Sequence, residues 1–207
     1  MVLLLCNAMT VCAQGHSLEI KGGVIATSTR NTGCKSKTVG DYKLGITAGG
    51  SFSWNFMDES LRAVAECYYA LQGERYTMDD NKTEVNTDLS YFKLAPNIRY
   101  YAPYVPVYCG MGFYTGFATI RHVYSGDKPR QARAPEPKPY YKGADFGSRM
   151  ALGISFDISE IQCVAELAYE YGFANISNRK ERKIRNQSLC FSLGVCFPVT
   201  GKHYRHF

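Results

Sequence analysis

The sequence predicts an all-β protein, an eight-stranded antiparallel up-and-down transmembrane β-barrel. Three observations support this class: segments in which apolar and polar residues strictly alternate, connections that alternate between short and long, and charges confined to one row of each segment. The 207 residues suffice for a single barrel, and the aromatic fraction of 14% is high. After the first residues no run of about 18 apolar residues occurs, which excludes a helical span.

The first four predicted strands each carry one apolar row. In strand one (residues 17–27) the row is Leu18, Ile20, Gly22, Val24 and Ala26. In strand two (42–56) it is Leu44, Ile46, Ala48, Phe52, Trp54 and Phe56. In strand three (61–72) it is Ala63, Ala65, Cys67, Tyr69 and Leu71. In strand four (89–101) it is Phe92, Leu94, Pro96, Ile98 and Tyr100.

Three of the last four predicted strands repeat the pattern. Strand five (104–120) is rich in glycine and aromatic residues, and its two faces do not separate. In strand six (144–158) the apolar row is Phe146, Met150, Leu152, Ile154 and Phe156. In strand seven (160–174) it is Ile161, Cys163, Ala165, Leu167, Tyr169, Tyr171 and Phe173. In strand eight (187–199) it is Leu189, Phe191, Leu193, Val195 and Phe197.

The predicted connections alternate in length. Tight turns are expected at 57–60, 102–103 and 157–160, and long polar loops at 28–41, 73–88, 121–143 and 175–186. Long structureless loops are unusual in compact soluble domains. Long loops at one end and short turns at the other are typical of outer-membrane barrels, which also have an even number of strands.

Nine charged residues of the strands, all opposite the apolar rows, are the candidates for the barrel interior. They are Glu19, Lys21, Lys43, Glu66, Lys93, Arg99, Arg149, Glu166 and Glu170. A soluble lipocalin-like barrel would turn these charges outward, whereas a membrane barrel would turn them into its lumen. Strands of 11 to 15 residues, aromatic residues near the strand ends and apolar rows with small residues favour lipid-facing apolar rows.

We therefore expect the nine charges to form a lumen charge network. An eight-stranded barrel has room inside only for side chains or one small ligand, and five basic and four acidic groups can pair there. A plug of paired ions is the first interpretation, and a narrow or gated ion path is the alternative. The sequence has no GxSxG, phosphate-binding glycine loop or HExxH motif, so we expect no catalytic residues, no cofactor and no metal site.

The two termini are expected to lie outside the barrel, which is predicted to comprise residues 14–199. Residues 1–13 are uncharged and end in Val11-Cys12-Ala13, which suits signal-peptidase cleavage after Ala13. The missing basic region suggests that this signal peptide is truncated at its start. Residues 200–207 would form a short tail. Phe197 would provide the recognition signal for the barrel-assembly machinery, and the terminal Phe207 is the alternative.

Two predicted loops are strongly basic. These are the loops at 121–143 and 175–186, and we expect their positive charge to attract the phosphates of the surrounding lipopolysaccharide. Nucleic acid is not an expected partner of an exported protein. A merely solvated face is the alternative. The candidate contact residues are Lys128, Arg130, Arg133, Arg179, Lys180, Arg182, Lys183 and Arg185.

Three stretches carry a resemblance to a known family: AVAECYYALQGERY (63–76), YFKLAPNIRYYAPYVPVYCGMGFYTGF (91–117) and ISEIQCVAELAYEYGFANI (158–176). They resemble the outer-membrane β-barrel domain common in Bacteroidetes, often described as porin-family or PorT-like. The resemblance implies a Gram-negative outer membrane and specifies the fold better than the activity. Pro106 and Tyr108 depart from its pattern, because small residues are expected there.

These observations together predict a monomeric, non-enzymatic outer-membrane barrel in contact with outer-membrane lipid. Its role would be structural or interactional and would be carried by the basic loops. A transport- or secretion-associated PorT-like barrel is the first alternative. A soluble lipocalin-like binder of a small ligand is the second, and it requires the apolar rows to point inward.

Overall fold

A computed structural model describes residues 16–32, 42–57, 60–78, 83–125, 141–158, 161–178 and 183–199. The eight strands are β1 (Ser17–Thr32), β2 (Lys43–Met57), β3 (Leu61–Met78), β4 (Thr83–Tyr101), β5 (Val107–Ser125), β6 (Ala144–Ile158), β7 (Ile161–Gly172) and β8 (Lys183–Pro198). Each strand pairs antiparallel with the next, and β1 pairs with β8 to close the barrel. The predicted fold, a closed eight-stranded antiparallel barrel, is confirmed. None of the described residues form a helix long and apolar enough to cross a membrane.

The apolar rows point outward and the charged rows point inward. On β8, Leu189, Phe191 and Leu193 are exposed, whereas Cys190 and Ser192 between them are buried. The same alternation holds in the other strands for which the sequence separates two faces. The inward-facing apolar core that a lipocalin-like binder requires is therefore not found in the described part of the chain.

Several strands are longer than the sequence predicts. β3 and β4 remain paired as far as Met78 and Thr83, so the predicted loop 73–88 is mostly a hairpin, and this prediction was wrong. β1 and β8 likewise continue past the predicted ends, to the pair Thr32 and Lys183. The extensions show no alternation of apolar and polar residues, so the sequence did not indicate them. They remain paired because the backbone hydrogen bonds of a ladder do not require an apolar face.

The register of β5 becomes clear in the structure. β5 begins at Val107 rather than at residue 104, because the preceding turn contains Tyr104 in the left-handed region (φ 68°). Tyr108 and Tyr114 are buried on its inward row, while Met111 is exposed on its outward row. Tyr108 lies directly opposite Gly153 of β6, where a Cβ atom would come within 2.3 Å of its ring. A large inward side chain is therefore accommodated by a glycine on the neighbouring strand.

Aromatic side chains form two rings on the outer surface. The lower belt, at the end with the short turns, contains Phe52, Trp54, Tyr100, Phe156 and Phe197. The upper belt, towards the end with the long loops, contains Tyr69, Phe92, Phe146, Tyr171 and Phe173. Phe146 and Phe156 are ten positions apart on β6, or about 33 Å along a strand. With a strand tilt of roughly 40°, the band between the belts is about 25 Å high.

The predicted signal peptide (1–13) and tail (200–207) lie outside the described residues, so both stay predictions.

Candidate functional site

The inward rows bring eight charged side chains together in the middle of the barrel. Each residue is at most 8% exposed. They are Glu19, Lys21, Glu66, Lys93, Arg99, Arg149, Glu166 and Glu170. Because the side-chain period of a strand is two, every strand that contributes here presents its charge to the same enclosed space.

Glu66 on β3 is in contact with three cations. Its Oε1 lies 2.8 Å from Arg99 Nη2, and its Oε2 lies 3.1 Å from both Lys21 Nζ and Arg149 Nη2. Asn97 Nδ2 donates a further hydrogen bond to Oε1 at 3.0 Å. Buried carboxylates need such partners, because the charge has left water.

Glu166 on β7 is held by the same three cations. Its Oε1 lies 2.8 Å from Lys21 Nζ and 2.8 Å from Arg149 Nη2, and its Oε2 lies 3.0 Å from Arg99 Nη2. The Tyr108 hydroxyl donates to Oε2 at 2.8 Å. Two carboxylates and three cations thus form the centre of the lumen charge network.

The remaining members extend the network towards both ends of the barrel. Glu19 accepts a bond from Arg99 Nη1 at 2.8 Å. Glu170 is 2.8 Å from Arg149 Nη1 and 2.7 Å from Lys93 Nζ. Four carboxylates and four cations therefore balance in charge.

Lys43 lies apart from this set. It pairs with Asp88 near the long-loop end, and the two side chains are 26% and 42% exposed. Lys43 Nζ also donates to the Thr87 carbonyl at 3.2 Å. Lys43 lies on the inward row of β2, but it stands too close to the mouth of the barrel to reach the central carboxylates, so its predicted place in the lumen charge network was wrong.

Buried hydroxyl groups complete the site, and the sequence did not single them out. The Tyr68 hydroxyl donates to Glu170, and Ser188 Oγ donates to the same carboxylate at 2.9 Å. The Tyr114 hydroxyl donates to Asp145 at 3.0 Å. Tyr68 and Asp145 fall on rows that the sequence assigns to the inside, so the alternation could have identified both as lumen residues. The ambiguous alternation of β5 concealed Tyr114.

An apolar cap covers the network towards the long loops. It is formed by Leu89, Tyr91, Tyr141, Ile176 and Ile184, all nearly fully buried. Tyr141 and Ser177 form an isolated bridge, and Lys142 N–H donates to the Ile176 carbonyl at 2.7 Å. The segments before β6 and after β7 therefore fold over the lumen.

The short-turn end is also filled. Tyr101, Tyr108, Val164 and Cys196 pack together there, and the Arg62 guanidinium lies 4.2 Å from the centre of the Tyr101 ring. Between the network and the wall lies a cavity of about 10 Å³, large enough for roughly one water molecule. Within the described ranges, the lumen is a packed core of charges and tyrosines. No group of three or more His, Cys, Asp or Glu side chains there is suited to a metal ion.

Most of the basic loop residues lie outside the described ranges. This holds for Lys128, Arg130, Arg133, Arg179, Lys180 and Arg182. Lys183 and Arg185 are described: both stand on the outward row at the start of β8, with Lys183 exposed and Arg185 partly exposed.

The chain is similar to solved structures of small barrels at low sequence identity. It matches Ail, the attachment invasion locus protein of Yersinia pestis in complex with the heparin analogue sucrose octasulfate, at 13% identity and a TM-score of 0.45, covering 88% of this chain and 99% of that one. It matches Neisserial surface protein A at 12% identity and a TM-score of 0.46, covering 88% and 97%. It matches the N-terminal β-barrel domain of Pseudomonas aeruginosa OprF at 14% identity and a TM-score of 0.39, covering 89% and 100%.

No family model and no curated protein matches the sequence. Membership of the Bacteroidetes barrel family therefore stays a prediction, and the function has to be inferred from the geometry of this chain.

Proposed function

We propose that this protein is a small, non-enzymatic barrel of a Gram-negative outer membrane, with a structural or surface-interaction role carried by its long-loop end. The observation that supports this most directly is the inverted distribution of side chains. Ten charged groups are buried, eight of them in the lumen charge network, while large apolar side chains cover the outside. Soluble monomers rarely expose apolar patches larger than a few hundred Å².

The dimensions of the outer surface support a membrane environment. The band between the two aromatic belts is about 25 Å high, which is the height typical of the apolar band of outer-membrane barrels. Closure of the barrel pairs all strand edges, as hydrocarbon requires, because no water is available there for unpaired backbone groups.

The packing of the lumen supports an interaction role over a transport role. The four carboxylates of the network are engaged by cations, and the apolar cap lies above them. A PorT-like transport barrel would need a water-filled lumen, whereas the described lining packs ion-paired side chains across the middle of the barrel.

Several further features belong to this proposal. Export would follow cleavage near Ala13, assembly would use the barrel-assembly machinery with Phe197 as the signal, and the barrel would be a monomer of the Bacteroidetes type. The basic loops would contact lipopolysaccharide phosphates, because a concentrated positive charge at the membrane surface attracts anionic headgroups.

Two measurements test the proposal. The mature chain should require detergent to stay in solution, and an unboiled sample should migrate differently from a boiled one on a denaturing gel. In planar bilayers the folded protein should show no steady conductance. A monodisperse protein without detergent would overturn the membrane assignment. A steady ion current would overturn the closed lumen and favour the transport alternative.

A further inference from the structure

Two arginines face each other on the outer surface of the seam that closes the barrel. Arg30 of β1 and Arg185 of β8 are direct cross-strand partners in the antiparallel ladder. Both belong to the outward rows, since Ile184 and Asn186 next to Arg185 are buried inside. Like charges directly opposite each other on one sheet face destabilise a strand pair.

The pair stands where the outer surface changes from apolar to polar. Going up the seam on the rows that contain the two arginines, the cross-strand pairs are first Ala26 with Leu189, then the buried Ser28 with the partly exposed Gln187, then Arg30 with Arg185. Tyr171 of the upper belt lies opposite Gln187 on the other side of β8. Arg30 is four positions beyond Ala26, or roughly 10 Å higher for a strand tilted by about 40°. This is within reach of the headgroup layer for a side chain as long as arginine.

Nothing in the described part of the chain neutralises this charge. Neither Arg30 nor Arg185 forms an ion pair with a described carboxylate, and Lys183 adds a third outward cation two positions from Arg185. Two guanidinium groups on neighbouring strands, with Cβ atoms about 5 Å apart, are spaced to share one phosphate. Arginine suits phosphate particularly well, because its planar group donates two parallel hydrogen bonds.

We propose that Arg30 and Arg185 form a binding site on the outside of the barrel for a phosphate on a lipid headgroup of the outer leaflet, such as the phosphorylated anchor of lipopolysaccharide. The acyl chains would lie against the apolar surface directly below, formed by Ala26, Leu44 and Leu189. The inference rests on the proposed membrane location. It adds a defined site to it, and Arg30 was not among the candidate residues derived from the sequence.

The test measures lipid binding to the refolded full chain in neutral detergent, after its heat-modified migration has shown that the barrel has formed. The probe is diphosphoryl lipid A, and the comparison ligands are a neutral phosphatidylcholine and inorganic phosphate. Arg30→Gln and Arg185→Gln should each weaken lipid A binding by about tenfold. Phosphatidylcholine and free phosphate should bind much more weakly than lipid A, since neither combines an unpaired phosphate charge with acyl chains.

Two further variants distinguish a shared site from general positive charge. The double variant should bind only slightly more weakly than either single variant, because removing one guanidinium already breaks the shared contact. Lys142→Gln, at an exposed cation of the same barrel end, should change lipid A affinity less than twofold. Equal effects of Lys142→Gln and Arg30→Gln, or wild-type affinity in the double variant, would overturn the site. A chain that stays monodisperse without detergent would instead overturn the membrane location itself.

Discussion

At the scale of single residues, the lumen is governed by the cost of buried charge. Glu66 contacts three neighbouring cations, Lys21, Arg99 and Arg149. Removing one partner of a buried ion pair is expensive, because the other partner stays desolvated without compensation. The same removal at an exposed pair is cheap, because water replaces the lost partner.

This contrast predicts different effects for two substitutions that each remove one charge. Glu66→Gln should lower the free energy of unfolding by about 3 kcal/mol, since it leaves three buried cations short of a carboxylate. Lys43→Gln, at the half-exposed pair with Asp88, should lower it by less than about 1 kcal/mol. Urea unfolding of both variants in the same lipid vesicles, followed by circular dichroism, measures the difference. Equal losses would contradict a central role for Glu66.

The alternation of strand residues was sufficient to predict the inward position of every charge in the network. It was not sufficient to predict which charges meet, because that depends on the height of each residue along the barrel. Lys43 shows this: it lies on the correct row of β2, yet it reaches Asp88 at the mouth rather than Glu66 at the centre. Height depends on the register between strands, which a single sequence does not determine.

At the scale of elements, β5 shows how two neighbouring strands fit together. Its inward row combines Tyr108 with glycines, and Gly153 on β6 provides the space for the Tyr108 ring. The Tyr108 hydroxyl in turn reaches Glu166 of β7 at 2.8 Å. The pairing of β5 with β6 therefore also positions a donor for the lumen charge network.

A methyl group at Gly153 should break this arrangement. The added Cβ would lie 2.3 Å from the Tyr108 ring, so Gly153→Ala should lower the free energy of unfolding by about 2 kcal/mol. In a Tyr108→Ala background the same substitution should cost much less, because the ring is gone. Gly22→Ala is the matched control, since its Cβ would approach nothing closer than 3.7 Å. Additive effects of Gly153→Ala and Tyr108→Ala would argue against the contact.

The cap at the long-loop end depends on one side chain of the segment after β7. Asn175 Oδ1 accepts hydrogen bonds from the backbone N–H groups of Ser177, at 3.1 Å, and Ile184, at 2.9 Å. These bonds hold Ile176 over the lumen, where it packs in the apolar cap.

Asn175→Ala should therefore loosen the cap without unfolding the barrel. Losing the shared acceptor should make hydrogen exchange of the Ser177 and Ile184 amides about tenfold faster. Exchange in the middle of β6 and β7 should stay unchanged, which provides the internal control. Mass spectrometry of exchanged peptides measures both regions. If exchange becomes faster throughout the barrel, Asn175 stabilises the whole fold rather than the cap.

Strand ends were harder to predict than strand centres, for a physical reason. Between the belts, the outward residues are apolar and most inward residues are polar or small, so the two kinds alternate along each strand. Beyond the upper belt the alternation ends, and the polar residues of the β3–β4 hairpin read as a loop although their backbones remain paired to Met78 and Thr83. The cap was missed for a related reason: Ile176 lies in a connection, where no periodicity indicates that it turns inward.

At the scale of the whole molecule, the barrel has a charged interior and an apolar exterior. A soluble protein has the opposite arrangement, with its charges outside and its apolar side chains inside. The interior of the barrel holds a balanced set of ions with a cap above and packed tyrosines below. Its exterior carries an apolar band between two aromatic belts, with Arg30 and Arg185 above it at the β1–β8 seam. We propose that the long-loop end and the outer surface beneath it make the contacts on which the function depends.

The most direct test of the central claim uses the single tryptophan of the chain. Trp54 belongs to the lower belt on the outer surface and is 36% exposed. In vesicles containing lipids brominated at defined depths, its fluorescence should be quenched most by bromines near the headgroups. In a Trp54→Phe/Phe191→Trp variant, whose indole would lie in the middle of the band, deep bromines should quench most. If neither indole is quenched by lipid while aqueous acrylamide quenches both, the apolar rows do not face a membrane and the account fails.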